Sequence, residues 1–263
     1  MSLSNSIKQQ LEAEFEKLPS FPSQTNFVPL MKEIYNGIKT VGSIDSFIST
    51  ITLLRRINKY EGRLFIILFE SFFPYIKQKF KDENNTIVRN ILTLTYEICA
   101  FSDNAQLYIE YLKYIIKKVI KILSVQKDEL IINISKEIMQ VIFVRFYPHD
   151  VFDILIYLLK NKRKTVMLKT AEYSFEFFNR LDKNTLKYDL QWGNMFTILS
   201  FLIINYDEDI ANRFYHGVKK MFTQDEWEEI LCQATTKELG TLLYIDKIDI
   251  KKIEQKKKEL YQD

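Results

Sequence analysis

Apolar residues recur along this chain at helical spacing, in segments a few turns long separated by short polar breaks. Ile7–Lys17 predicts a short amphipathic helix. Pro19, Pro22 and Pro29 then predict an extended stretch, because proline lacks a backbone donor and restricts its predecessor. From Phe27 onward the pattern predicts one helix after another: Phe27–Lys39, Asp45–Asn58, Leu64–Phe80, Thr86–Phe101, Ala105–Leu123, Glu129–Phe146, His149–Leu159, Thr165–Leu181, Leu186–Asn205, Ile210–Met221, Trp227–Gln233, Lys237–Tyr244 and Asp249–Tyr261. The spacing is clearest at Ile87, Ile91, Leu94 and Ile98. The breaks carry helix-capping chemistry, as in Lys81-Asp82-Glu83-Asn84-Asn85. Thr223 with Glu226 three residues later predicts a capping box.

Turns that lead into a second helix fall near Asn85, Asp128, Lys164 and Asp209, at spacings of 43, 36 and 45 residues. Periods of about 40–47 residues belong to HEAT and armadillo units. A single pair of helices cannot bury both its faces, so pairs stack and share a continuous core. The expected fold is all-α, an α-solenoid of about six HEAT-type antiparallel helix pairs. Residues 1–26 read as an N-terminal helix and Pro-rich linker, 27–245 as the solenoid domain, and 246–263 as a charged C-terminal helix. Ile91, Leu94, Ile98, Ile134, Ile138, Phe175 and Phe178 are expected to be buried in the seam between pairs.

Composition narrows the possibilities. With 47% hydrophobic and 27% charged residues, the chain of 263 residues can bury a core and stay in solution. Only 6 glycines and 5 prolines leave too few tight turns for a β-sandwich or barrel. Neither GxGxxG nor GxxxxGK[ST] is present. The net charge of +3 argues against a dedicated nucleic-acid binder. Leu64–Ile76 is broken by Glu70 and Pro74, short of a membrane span, and Met1–Gln10 lacks an apolar signal core. Cys99 and Cys232 do not make a disulfide framework, which fits a reducing compartment, the cytoplasm or cytoskeleton.

Candidate chemistry is sparse. His149 and His216 fall in different repeats without ligand-spaced partners, so no metal is expected. Cys232 and His216 are 16 residues apart, which is not a catalytic motif. The carboxylate pairs Asp82/Glu83 and Asp207/Asp209 lie in turns open to water, where general acid–base catalysis is poorly served. The chain reads as a protein-binding scaffold, not an enzyme, with no cofactor. The basic tetrad Lys160, Lys162, Arg163 and Lys164 is the sharpest local signal. It suits either an acidic partner or a solvated turn beside a helix C-terminus.

Several strings resemble the TOG domain, a HEAT-repeat domain that binds tubulin, in the form found in CLASP and in ciliary proteins such as crescerin. Ile44-Asp45-Ser46-Phe47 with Leu53-Leu54-Arg55-Arg56-Ile57 is similar to the first TOG helix pair, and Ile76–Glu97 to the second. Lys162-Arg163-Lys164-Thr165-Val166 resembles the fourth pair, and Asp207-Glu208-Asp209 with Ala211-Asn212-Arg213 the fifth. The resemblance implies a paddle whose narrow edge, made of the turns within each pair, meets tubulin. It places Ser43, Asp45 and Phe47 in the first turn, Lys81 and Asn85 in the second, and Lys127 in the third. Lys162 and Arg163 fall in the fourth turn and Asp207 in the fifth. The tryptophan usual in the family's first turn is absent, leaving Phe47 as the aromatic there; Trp192 and Trp227 come much later. The implied binding set is Phe47, Lys81, Asn85, Lys127, Lys162 and Arg163. The implied protein is a monomer with tubulin as partner, located on the cytoskeleton, cilium or centrosome, and without nucleic-acid or membrane binding. The alternative is a HEAT-repeat adaptor for a phosphatase, transport or translation complex, which would use a concave face.

Overall fold

The computed structural model describes residues 3–20, 27–39, 43–81, 84–103, 108–188, 192–205 and 208–261. Among these residues helix follows helix and no strand occurs. The chain divides into two compact units, Met1–Phe146 and Tyr147–Asp263.

The first unit contains α1 (Leu3–Glu16) and three antiparallel pairs. These are α2 (Phe27–Lys39) with α3 (Ile44–Tyr60), α4 (Gly62–Lys79) with α5 (Asn85–Phe101), and α6 (Ile109–Val125) with α7 (Glu129–Arg145). The second helices form one layer, in which α5 packs against both α3 and α7. Flanked on both sides, α5 buries every residue from Ile91 to Cys99. Each large apolar side chain so covered contributes about 1.5–3 kcal/mol.

Each second helix starts at a side-chain cap. Ser43 accepts from the Ser46 N–H, Asn84 from Thr86 and Ile87, and Asp128 from Leu130 and Ile131. These bonds satisfy backbone donors that a helix start leaves free, and so fix the turns at one end of the pairs. Gly37 permits the approach of α2 to α3, since a Cβ there would stand 1.9 Å from Thr50 Oγ1.

Helix α1 is part of this unit and packs on α7. It buries Leu11 and Phe15, and Phe15 stacks on Phe101 at 4.3 Å. Its C-terminal carbonyls are held by α3. Lys59 Nζ donates to the Phe15 and Glu16 carbonyls at 2.9 and 2.7 Å, and the Tyr60 hydroxyl to Leu18 O at 2.8 Å. Arg56 donates to Pro19 O and Ser20 O at 3.1 and 2.6 Å. Cations at a helix C-terminus meet the negative end of its dipole.

Beneath α1 lies a buried ion pair. Arg55 Nε and Nη2 donate to Glu97 Oε1 at 2.8 and 2.6 Å, while Glu97 Oε2 has no hydrogen-bond partner. Burial pushes the Glu97 carboxyl up, and Arg55 opposes that shift. Glu14 of α1 stands 3.8 Å from Arg55 and 3.7 Å from Arg89.

The second unit has the pairs α8 (Pro148–Leu159) with α9 (Lys164–Phe178), and α11 (Trp192–Asn205) with α12 (Glu208–Lys219). Between them sits the short α10 (Lys183–Tyr188). The expected helix Leu186–Asn205 is seen as the end of α10, up to Tyr188, and α11 from Trp192; residues 189–191 lie outside the described residues. The Trp192 indole N–H donates to Leu186 O at 2.8 Å, which ties the start of α11 to α10. In place of a regular sixth pair, three short helices close the unit: α13 (Gln224–Leu231), α14 (Thr236–Leu242) and α15 (Ile250–Leu260). Helix α14 packs on α11, and α15 on both α13 and α14. Trp192 and Trp227 meet edge to face at 5.6 Å, and the Trp227 N–H donates to the Tyr215 hydroxyl at 3.1 Å.

Of the seven expected seam residues six are buried, and Phe175 is only half-buried. Met167, Thr170, Ala171, Ser174, Phe177 and Phe178 form the buried stripe of α9, and Phe175 flanks it against Phe214.

The capping box at Thr223 and Glu226 is present, and Thr235 with Glu238 forms a second that the sequence reading missed. Lys183 Nζ lies 2.5 Å from Glu226 Oε2; this contact, then the Thr223 N–H, holds the Glu226 carboxyl down at about 2. A depressed carboxyl stabilises the fold above the unfolded value of 4.5, and that contribution is lost as pH falls through about 2. A carboxyl-carbon NMR titration should place the Glu226 midpoint far below 4.5; a midpoint at or above 4.5 would show that the cap is open in solution.

Candidate functional site

The turns within the pairs carry the sequence-predicted residues. In the first unit Lys81, Asn85 and Lys127 are exposed. Asn85 is the first residue of α5, and its amide joins two turns: Nδ2 donates to Asp128 Oδ2 at 3.1 Å, and Oδ1 accepts from Gln126 Nε2 at 3.4 Å. Gln126 Oε1 also accepts the Lys127 N–H at 2.8 Å. The second and third turns thus share a hydrogen-bond network and form one edge, from which the Lys81 and Lys127 side chains project into solvent. Ser43 and Asp45 in the first turn are exposed as well.

Phe47 does not belong to this edge. It is 2% exposed and packs in the core of the first pair. Phe47, Ile51 and Leu54 follow one helical stripe, which faces inward. Lys79 reaches it from α4, its ammonium 6.0 Å from the ring centroid. Among its described residues the first turn therefore offers the polar Ser43 and Asp45 beside exposed Ile44, and no aromatic anchor.

In the second unit Lys162 and Arg163 are exposed in the turn between α8 and α9. The Arg163 N–H donates to Asn161 Oδ1 at 2.9 Å, which orders the turn, while the Arg163 side chain takes no part in the cap. Asp207 lies outside the described residues.

Sequence reasoning missed a groove where the end of α4 meets α6. It measures about 330 Å³ and is lined by Lys81, Asn85, Val88, Lys118, Lys121 and Val125, among others. The signal was present in Lys117-Lys118 and Lys121, basic positions on one turn of a helix, but their nearness to Lys81 depends on packing.

The two cysteines and His216 are engaged or inert. Burial pushes the Cys99 thiol up to about 12, so it stays protonated at neutral pH. Cys232 is also pushed up by burial, and its thiol donates to Glu228 O at 3.2 Å. His216 Nε2 contacts Ile245 O at 2.8 Å. Among the described residues no group of three or more His, Cys, Asp or Glu could hold a metal ion, and no helix is long and apolar enough to cross a membrane.

Neither a protein-family model nor a curated protein matches the sequence. Solved structures do match the fold. One comes from work on microtubule plus-end tracking by XMAP215, CLIP-170 and EB1. It is 12% identical, with a TM-score of 0.55, and the match covers 89% of this chain and 94% of that one. Another comes from work on TOG–tubulin binding specificity in microtubule dynamics and mitotic spindle formation. It is 12% identical, with a TM-score of 0.55, and the match covers 94% of this chain and 98% of that one. The helical fold of this chain is accordingly that of the TOG-domain structures.

Proposed function

We propose that this chain is a non-enzymatic scaffold that binds tubulin through the turns within its helix pairs. The observation that carries this reading is the network joining Asn85, Gln126 and Asp128, which makes two successive turns one ordered edge with Lys81 and Lys127 projecting from it. Tubulin is the partner that the structurally similar TOG protein binds. Lys162 and Arg163 add cations in the second unit. An acidic partner would be steered to such positions, mainly through a faster and salt-sensitive association. With Phe47 buried, no aromatic anchor supplements the charges at the first turn, where Ile44 is the exposed apolar residue among those described, so affinity should be modest. The protein would work on microtubules or on free tubulin in the cytoskeleton.

The adaptor alternative is less well supported. In the first unit α1 lies against α7 and is bonded to α3, so it covers part of the layer that a concave-face adaptor would present.

Charge reversal tests the edge. Lys81→Glu with Lys127→Glu, and separately Lys162→Glu with Arg163→Glu, should each weaken tubulin association by about tenfold or more at low salt. All four side chains are exposed, so thermal unfolding should stay nearly unchanged. Unaltered tubulin affinity in both double variants would remove the edge from consideration.

A further inference from the structure

The lysine groove of the first unit has a chemistry more specific than general basicity. Lys118 lies over two rings, with its ammonium 5.8 Å from the Phe80 centroid and 5.9 Å from that of Tyr114. Lys77 covers Tyr114 in turn, at 5.1 Å. Burial pushes the Lys118 ammonium down, and the charges of Lys121 and Lys81 push it further, so the three cations share one field. None of Lys81, Lys118 and Lys121 forms an ion pair with a described acid; Asp82 and Glu83 lie outside the described residues. Between the lysines the lining combines the amides of Asn85 and Gln126 with Phe80 and three aliphatic side chains. Val88 is buried, Ile122 is half-buried, and Val125 is 60% exposed.

We propose that this groove docks an acidic polypeptide segment, with carboxylates on Lys81, Lys118 and Lys121 and one aliphatic side chain against Ile122 and Val125. The inference deepens the tubulin-binding reading, because Lys81 and Asn85 border both the groove and the edge. A volume of about 330 Å³ suits a few side chains, not a broad surface. A nucleic acid fits less well. Base stacking needs open ring faces, and Lys118 and Lys77 lie over those of Phe80 and Tyr114. The net charge of +3 is also low for a polyanion binder. Three clustered cations without described acid partners, beside exposed valine, match instead a segment that alternates carboxylates with a branched aliphatic residue.

The test uses the full chain, a fluorescein-labelled Glu-Glu-Leu-Glu-Glu peptide, and its Gln-Gln-Leu-Gln-Gln counterpart, followed by anisotropy at low ionic strength. The acidic peptide should bind at least about tenfold more tightly than the neutral one and weaken as salt rises. Lys118→Gln with Lys121→Gln, checked for retained helicity, should lose about tenfold in affinity, whereas Lys162→Glu with Arg163→Glu should bind the peptide as the wild type does. Equal binding of both peptides, equal binding by the Lys118/Lys121 variant, or displacement by a single-stranded oligonucleotide at lower concentration than by the unlabelled peptide would overturn the proposal. Peptide binding in a protein that fails to bind tubulin would support the groove and remove only the tubulin reading.

Discussion

Arg55→Ala is expected to destabilise the first unit by about 3–5 kcal/mol, the usual cost of removing one partner of a buried ion pair. Glu97 is fully buried, and its one hydrogen-bonded oxygen receives both bonds from Arg55. Without Arg55 the carboxylate would keep only the weaker influence of the Lys59 charge to offset its lost hydration. Glu14 of α1 would also lose one of its two arginines. Urea unfolding followed by far-UV circular dichroism measures this loss. Tryptophan fluorescence would not serve, since Trp192 and Trp227 both lie in the second unit. Arg55→Met combined with Glu97→Leu should recover most of the stability, because a well-packed apolar pair of similar volume has no charge to desolvate. A single Arg55→Ala variant that loses less than about 1 kcal/mol would mean that Glu97 is neutral in the folded protein or reached by water.

Phe47→Ala is expected to cost about 3–5 kcal/mol as well, by lost transfer energy and the cavity left behind. The phenylalanine is 2% exposed within the first helix pair. The effect should be confined to stability: at a temperature where the variant is folded, its tubulin affinity should match the wild type. A variant of wild-type stability with lost tubulin binding would return Phe47 to the edge and contradict its position in the fold.

The contrast at Phe47 shows what the sequence made legible. Helices were readable because apolar spacing and cap residues agreed; Asn84, Asp128 and Thr223 stand where their side chains bond the next turn of backbone. The same spacing, extended back from Leu54 and Ile51, puts Phe47 on the inward stripe, and counting it with the turn overrode that periodicity. The exposed cations Lys81, Lys127, Lys162 and Arg163 were legible because solvated turns favour charge.

Other features depend on residues brought together from afar. Arg55 and Glu97 are 42 positions apart and meet only when α3 lies beside α5. The stretch before Phe27 reads as a short amphipathic helix and a Pro-rich linker outside the solenoid, yet Leu11, Phe15 and Leu18 are buried, and Arg56, Lys59 and Tyr60 bond the backbone between Phe15 and Ser20. Nothing local in α1 signals that receptor. The groove likewise needs the end of α4 beside α6 before Lys81, Lys118 and Lys121 become neighbours.

Size-exclusion chromatography of the full chain with equimolar free tubulin at low salt tests the proposed function most directly. Co-elution as a complex that dissociates as ionic strength rises is the predicted result, since the turn cations would provide most of the attraction. Separate elution of the two proteins at low salt, with the chain folded by circular dichroism, would contradict it and leave the chain with the TOG fold but without tubulin as its partner.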